Sequence, residues 1–397
     1  MKNALHCGAP SVSLHHWFRA LQPSRHAVLQ HDQFRDRYLI GTYSGRSAIA
    51  LACKLLGLPP GSEILVPAYN CGTELDALVH AGAKLKGYSV SADCRIDFAD
   101  LISRKTPNTR AVYIIHYFGW EQPMSDLRRW CDEQGLLLIE DCALALFSNG
   151  ESNRIGRMGD AAIYSLPKTL GFAHGGLLSL PRTRVDRNPR LTPAGLSSLL
   201  TEIKSSTKTA ILDSLEWFGL YGSLLSSLNR RNGRNGQEPE TARPEMPESY
   251  YFDPGIHADR AIQPATFALA SSFSPQEIVR RRRSNFLQLS KAFSGIEGMT
   301  PVYRTLPDSV CPLSFPLTVA NRDASVEALQ ARGIAAYPWW AGFHRNGIDW
   351  SSFPDACRLK QQLLTLPVHQ GLDDRHISYL ADTAVTVLKQ ENGSQKQ

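Results

Sequence analysis

The sequence lacks the features that would assign a class at a glance. Its eight cysteines (Cys7, Cys53, Cys71, Cys94, Cys131, Cys142, Cys311, Cys357) include no CxxC pair and no spacing suited to zinc, so they read as reduced thiols. No apolar run is long enough to span a bilayer. The first thirty residues hold His15, His16, Arg19, Arg25 and His26 where a signal peptide would need an apolar core. These absences predict a soluble, cytoplasmic protein. Charge of neither sign dominates: 43 Lys and Arg face 37 Asp and Glu, a net +6 over 397 residues that small anions explain as well as a nucleic acid does. Arg280 to Arg283 falls inside a predicted amphipathic helix without stacking aromatics, and reads as a solvated helix face with no nucleic-acid partner. His15, His16, His26 and His31 have no partners at metal-ligand spacing and read as surface or core histidines, so no metal site is expected. No internal repeat is present.

What the chain does have is alternation. Ala48, Ile49, Leu51, Ala52, Leu55 and Leu56 recur at helical spacing from a Ser44-Gly45 start to a stop at Gly57 and Pro59. A short apolar strand follows at Glu63 to Pro67, then a helix through Leu75 and Leu78, a strand from Leu85 to Val90, and a helix around Phe98 to Ile102. Next come a strand at Ala111 to Ile115, a helix from Ser125 to Gln134 and a strand at Leu136 to Ile139. Strands at Ala161 to Ser165 and Gly176 to Leu180 enclose a loop carrying Lys168. Apolar strands separated by helices predict an α/β fold with a mixed, mainly parallel sheet covered on both faces, whose ligands bind at the strands' carboxyl ends.

Beyond Leu180 the pattern changes. Ser197 to Ser227 reads as helical, and Arg230 to Glu248, crowded with Asn, Gly, Pro, Glu and Arg, reads as a mobile loop. The apolar stretch Ala210 to Leu228, flanked by Lys204, Lys208, Arg230 and Arg231, suits either packing on the body or a second subunit, or an interfacial membrane helix. A smaller C-terminal α/β domain follows, with helices at Pro275 to Phe293, Ser325 to Arg332 and Asp374 to Leu388 and strands at Leu313 to Val319 and Ile334 to Tyr337. The expected division is an N-terminal segment at 1–40, a large domain at 41–260 with an insertion at about 182–257, and a small domain at 261–397.

Three features fall at strand ends of the large domain. Ser44-Gly45-Arg46-Ser47 opens a helix, where unpaired N–H groups and the dipole favour an anion, although Ser44 as a plain N-cap explains it alone. Asp141 follows the strand Leu136 to Ile139, placed to pair with a protonated pyridine nitrogen or simply to cap a loop. Lys168, in Ser165-Leu-Pro-Lys168 before Gly171, Gly175 and Gly176, stands where an amine can form an imine and shuttle a proton. Their joint occurrence in this order outweighs each bland reading.

Together with Ser44-Gly-Arg-Ser-Ala-Ile-Ala-Leu-Ala52, Glu63 to Pro67, His116-Tyr-Phe-Gly119, Ile139-Glu-Asp141, Gly159 to Lys168, Gly175-Gly176 and Leu366-Pro-Val-His369, these features give a chain that resembles the DegT-type aminotransferases. Those are pyridoxal 5′-phosphate (PLP) enzymes of fold type I acting mostly on nucleotide-linked keto sugars. The resemblance is closest over Tyr43 to Leu180 and weakest over Arg182 to His257. It implies Lys168 as the Schiff-base lysine, Asp141 as partner of the pyridinium nitrogen, Ser165 as a phosphate ligand, and Gly45, Arg46 and Ser47 as the rest of the phosphate cradle. A lysine at this position marks aminotransferases, whereas related sugar dehydratases carry histidine. Cys71 stands where the family has an aromatic residue stacked on the ring, with Tyr69 nearby. Leu144 replaces a glutamine, and Arg46 a threonine. The resemblance further implies a homodimer and an amino transfer, from glutamate to a keto sugar in polysaccharide or glycoconjugate synthesis. Another PLP reaction (lyase or dehydratase) and a non-catalytic binding role are the alternatives. Trp339, Trp340 and His344 either face the site or pack.

Overall fold

The computed structural model describes residues 4–20, 31–149, 154–184, 189–232, 245–345 and 348–393. After α1 (Leu14–Ala20), the alternation runs β1 (Arg37–Thr42), α2 (Gly45–Leu55), β2 (Glu63–Pro67), α3 (Thr73–His80), β3 (Lys84–Tyr88), α4 (Phe98–Arg104) and β4 (Thr109–Ile115). It continues through α5 (Met124–Gln134), β5 (Leu137–Asp141), β6 (Ala161–Ser165), α6 (Leu166–Leu170) and β7 (Gly176–Pro181). These seven strands form one sheet in the order β1-β7-β6-β5-β4-β2-β3. From β3 to β6 every pairing is parallel, while β7 runs antiparallel to both β6 and β1. The mixed, mainly parallel α/β sheet is thus as expected, and its central strands are mostly apolar because both faces are covered.

Three elements of this half depart from the expectation. β1 was not read as a strand, because Arg37-Tyr-Leu-Ile-Gly-Thr42 has only a short apolar core; it is held as the sheet edge by pairing with β7. It also begins inside the segment assigned to 1–40. Lys168 lies on a one-turn helix, α6, rather than in a loop, with Pro167 in its first turn and Gly171 ending it at φ 79°. Asp141 is the last residue of β5, not the residue after it.

The helical middle is α7 (Leu196–Trp217) and α8 (Tyr221–Asn232). The stretch Ala210 to Leu228 is therefore not one helix. Gly219, at φ 68°, ends α7, and Leu220 N–H donates to Leu215 O at 2.7 Å as the chain turns. Along α7, Leu196, Leu200, Ile203 and Ile211 are exposed, as are Trp217 and Phe218 at its end. No helix among the described residues is long and apolar enough to cross a membrane. Most of the loop expected at Arg230 to Glu248 lies outside the described residues, as does His26. Its end is placed: Met246 N–H donates to Phe343 O at 3.0 Å.

The C-terminal half contains α9 (Pro254–His257), α10 (Pro264–Ala270), α11 (Pro275–Ala292), β8 (Met299–Pro301), β9 (Ser314–Val319), α12 (Arg322–Gln330), β10 (Tyr337–Pro338), α13 (Pro354–Gln362), β11 (Leu363–Pro367) and α14 (Asp374–Gly393). Its sheet is antiparallel, in the order β10-β11-β9-β8. Residues near the N-terminus join this half: Ala335 N–H donates to Cys7 O at 2.8 Å.

Arg280 to Arg283 is not a uniformly solvated face. Arg282 is wholly buried, and its guanidinium donates to Thr169 O, Pro312 O, Leu313 O and Gln370 Oε1. It pins the end of the Lys168 helix to the C-terminal half. We expect Arg282→Met, which orphans buried carbonyls, to cost about 3 kcal/mol in urea unfolding. Arg281→Met, which removes only a pair with exposed Asp374, should cost less than about 1 kcal/mol. Equal costs would show that the buried guanidinium does not tie the two halves.

Candidate active site

The register of the parallel strands carries the site's charged groups to one sheet edge. Ile115 faces Asp141 and Asp141 faces Ile163, so Asp141 ends β5 two residues short of Ser165 at the end of β6. Lys168 follows one turn later. All three border a cavity of about 1060 Å³ beside the start of α2, at the carboxyl ends of the strands as this sheet type dictates.

Asp141 is buried and oriented from two sides. Tyr113 Oη–H donates to Oδ2 at 2.7 Å, and Ala143 N–H donates to Oδ1 at 2.8 Å. Burial, reinforced by Asp141, holds the Tyr113 hydroxyl far above the usual phenol range, so it stays a donor. A second carboxyl, Glu74, is buried in the same wall. It accepts from Cys71 N–H at 2.7 Å and from the Thr73 hydroxyl at 3.2 Å. Burial first, and Asp141 second, push its pKa up.

At the start of α2, the Ser44 hydroxyl accepts from Ser47 N–H at 3.2 Å, and the helix's first intrahelical bond runs from Ala48 N–H to Ser44 O. The N–H groups of Gly45 and Arg46 precede that bond and face outward from the helix end. β7 packs close behind: a Cβ on Gly176 would stand 2.3 Å from Ser44 backbone atoms, so only glycine lets the strand pass. A Cβ on Gly45 would stand 3.9 Å from Ile163 and 4.0 Å from Ser165, within the space between helix start and strand end.

The outer wall comes from segments distant in sequence. Trp340 sets its ring 5.5 Å from Lys168 Nζ. Tyr250, Tyr251 and His257 border the cavity opposite, and His257 Nδ1 lies 3.0 Å from Ser44 Oγ. Burial first, then the Arg46 charge, lowers the His257 pKa to about 4. His174, buried next to Gly175, lies 3.6 Å from the buried carboxylate of Glu202 on α7.

Of the residues singled out in the sequence, Gly45, Arg46, Cys71, Asp141, Ser165 and Lys168 border the cavity, and Ser47 does not. Ser47 is buried, with its hydroxyl 3.0 Å from that of Ser44. The Arg46 guanidinium donates to Tyr250 O at 3.1 Å and Tyr251 O at 3.3 Å, tying down the opposite loop. Tyr69 does not reach the cavity: its ring is fully buried against Tyr117, and its hydroxyl donates to Trp339 O at 3.0 Å. Leu144 is core. Of the Trp339, Trp340 and His344 alternatives, Trp339 and Trp340 border the cavity, whereas His344 packs behind it, with Nε2 3.0 Å from Asp76. Glu74, His174, Tyr250 and Tyr251 were missed. A carboxylate three residues after Cys71 at a helix start was the only available signal, for Glu74. The other three lie on loops without periodicity.

His116, Glu140 and Cys142 form the only close group of metal-capable side chains among the described residues. Glu140 accepts from Gly156 N–H at 2.7 Å and from Gly159 N–H, and pairs with His116 Nε2 at 3.0 Å, so its oxygens are already used.

Comparison with known proteins agrees with this geometry. Residues 31–190 match the model of the DegT/DnrJ/EryC1/StrS aminotransferase family. GDP-perosamine synthase of Vibrio cholerae is 30% identical over 142 residues, spanning 34% of this chain and 38% of that protein. dTDP-4-dehydro-2,3,6-trideoxy-D-glucose 4-aminotransferase of Saccharopolyspora spinosa is 25% identical over 354 residues, spanning 85% of this chain and 81% of that protein. Among solved structures, a putative sugar aminotransferase of Streptococcus pneumoniae superposes with a TM-score of 0.70 at 16% identity, covering 99% of this chain and 100% of that one. The aminotransferase TlmJ of Streptoalloteichus hindustanus gives 0.65 at 19%, over 98% and 99% of the two chains. The structures share the fold, and the sequence match to the DegT/DnrJ/EryC1/StrS aminotransferase family lies over residues 31–190 of this chain.

Proposed function

We propose that the protein is a PLP-dependent aminotransferase that moves an amino group from a small donor, glutamate first, to a keto sugar carried on a nucleotide. The observation that carries this reading is the meeting of Lys168 and Asp141, an amine and an oriented carboxylate from adjoining strand ends, on one cavity. The donor set suits the cofactor: an amine for its aldehyde, a buried acceptor for its ring nitrogen, and the Ser165 hydroxyl with the Gly45 and Arg46 N–H groups for its phosphate. Ser47 contributes by fixing Ser44 rather than by contact. The relatives' names, which include GDP-, dTDP- and UDP-sugar enzymes, support a nucleotide-linked acceptor.

When bound, the cofactor supplies an electron sink for the bond broken at the substrate carbon. The chain's residues do the rest. Asp141, aimed by Tyr113 and Ala143, holds the ring nitrogen. Lys168 Nζ takes up and returns the proton at the substrate carbon as general base and acid. Trp340 covers the amine against water. Cys71 and Ala143 supply the remaining wall around the ring, a role an aromatic residue has in the family. We further propose a cytoplasmic homodimer in which a second copy closes the cavity mouth, and a division into large and small domains near residue 260.

The purified protein should show an absorption band near the visible edge that moves to shorter wavelength on adding glutamate, and Lys168→Ala should lack that band and turn over at least about a hundredfold more slowly. A band indifferent to glutamate would redirect the search to another donor or another PLP reaction, and full activity in the variant would sink the mechanism. Tyr113→Phe, which removes one of the two bonds that aim Asp141, should weaken PLP affinity or turnover about tenfold without unfolding the protein; no change would remove Tyr113 from the site. Light scattering should give the mass of two chains, and a monomer at working concentration counts against the assembly.

A further inference from the structure

Helix α13 of the small domain sends a charged side chain into the interior. Lys360 is 1% exposed. Its ammonium donates to three backbone carbonyls: Gly342 O at 2.7 Å, Asn70 O at 2.8 Å and Trp340 O at 3.1 Å. Three acceptors match the three N–H donors of an ammonium. The rings of Phe343 and Trp350 stand 5.1 Å away and that of Tyr69 6.0 Å, which suits a desolvated cation. The titratable groups facing it are Cys71 and Glu74 at the start of α3, Cys357 on α13 itself, and Tyr69. Arg322 donates to the backbone carbonyl of Lys360.

The three carbonyls belong to two walls of the cavity. Asn70 immediately precedes Cys71 and comes from the large domain. Trp340 and Gly342 come from the small domain, and Trp340 faces Lys168 Nζ. Trp340 also holds φ at 56°, the left-handed region that a bulky side chain rarely adopts and that persists only when its surroundings enforce it. Lys360 bonds to the carbonyl of that residue and to that of Gly342 two residues on. The Tyr69 hydroxyl bond to Trp339 O runs alongside as a second tie between the same two walls.

We infer that Lys360 is a positioning residue whose ammonium clamps the Asn70–Cys71 wall to the Trp340–Gly342 wall and so holds the cavity around Lys168 in its binding geometry. The inference rests on the proposed reading that this cavity takes the cofactor. Burial lowers the Lys360 pKa from 10.5 to about 8. A lysine depressed on folding binds fewer protons folded than unfolded, so global stability rises as pH climbs from about 8 toward the unfolded value, while the charge that grips the carbonyls is being lost. Burial thus disfavours the ionised form in the folded chain, and the three carbonyls are what keep it charged near neutral pH.

The test is Lys360→Met in the full chain. It should unfold at a lower urea concentration than the wild type, since three buried carbonyls lose their donor, and without urea, where it is folded, bind PLP at least tenfold more weakly, with reduced visible circular dichroism of bound cofactor. Wild-type affinity and dichroism in the variant overturn the proposal. Should the variant not fold, hydrogen exchange of the cofactor-free wild type at about pH 7 and about pH 9.5, corrected for intrinsic rates, decides it. Residues 70–73 and 340–343 should lose protection together by tenfold or more at the higher pH while β4 keeps its own; undiminished protection in both segments overturns the clamp. A wild type that binds no PLP would defeat the functional reading, and the exchange experiment would still judge the clamp.

Discussion

The register of β4, β5 and β6 governs where every polar group of the cavity can stand. With Ile115 opposite Asp141 and Asp141 opposite Ile163, the carboxylate stands two residues short of the end of the strand that delivers Ser165 and Lys168. Side chains alternate faces along a strand, so a slip of one residue would turn Asp141 to the other side and separate it from the Tyr113 hydroxyl. The apolar strand interiors prevent that slip, since any other register would bury Glu140 or Asp141 without their partners. Glu140, one residue earlier and on the opposite face, is fully satisfied by His116 and two glycine N–H groups. Two adjacent acids thus have separate duties, one internal and one facing the cavity.

Around that edge the protein builds the cavity with few charges and many backbone contacts. Arg46, Arg282 and Lys360 each spend their donors on main-chain carbonyls rather than on carboxylates. A cation so used fixes loops that have no ladder of their own: 250–251, 312–313, and 340–342 with Asn70. Much of the outer cavity wall is loop, and loops need such anchors to be as precise as strands.

Two halves of the chain meet at these anchors. Arg282 reaches from α11 to the last turn of the Lys168 helix, and Lys360 reaches from α13 to the residue before Cys71. The N-terminal half thus carries Lys168 and Asp141, and cations of the C-terminal half fix the backbone around them. The α7–α8 pair contributes from beneath, where Glu202 accepts from Ala173 N–H at 2.8 Å beside His174. Its exposed apolar stripe faces away from this contact.

Much of this was readable from the chain alone. Long apolar strands such as Thr109–Ile115 and a capped helix start such as Ser44 declare themselves, because their periodicity and end signals are local. Lys168, Asp141 and Ser165 stood out for the same reason: each sits at a fixed place relative to a strand end. β1, β11 and the break at Gly219 did not, since a short edge strand, a strand buried beneath helices and a helical turn depend on what they pack against. Nor could the sequence tell that Arg282 is buried among three neighbouring arginines, that Arg46 turns toward Tyr250 and Tyr251, or that Trp340 rather than Tyr69 reaches Lys168. Local pattern determined most of the sheet, the order of its strands' chemistry and the places of Lys168 and Asp141 at the strand ends. The walls of the cavity and the cations that hold them were decided only by tertiary structure, because they join residues up to 290 positions apart, and hydrogen bonds across such distances leave no period in the sequence.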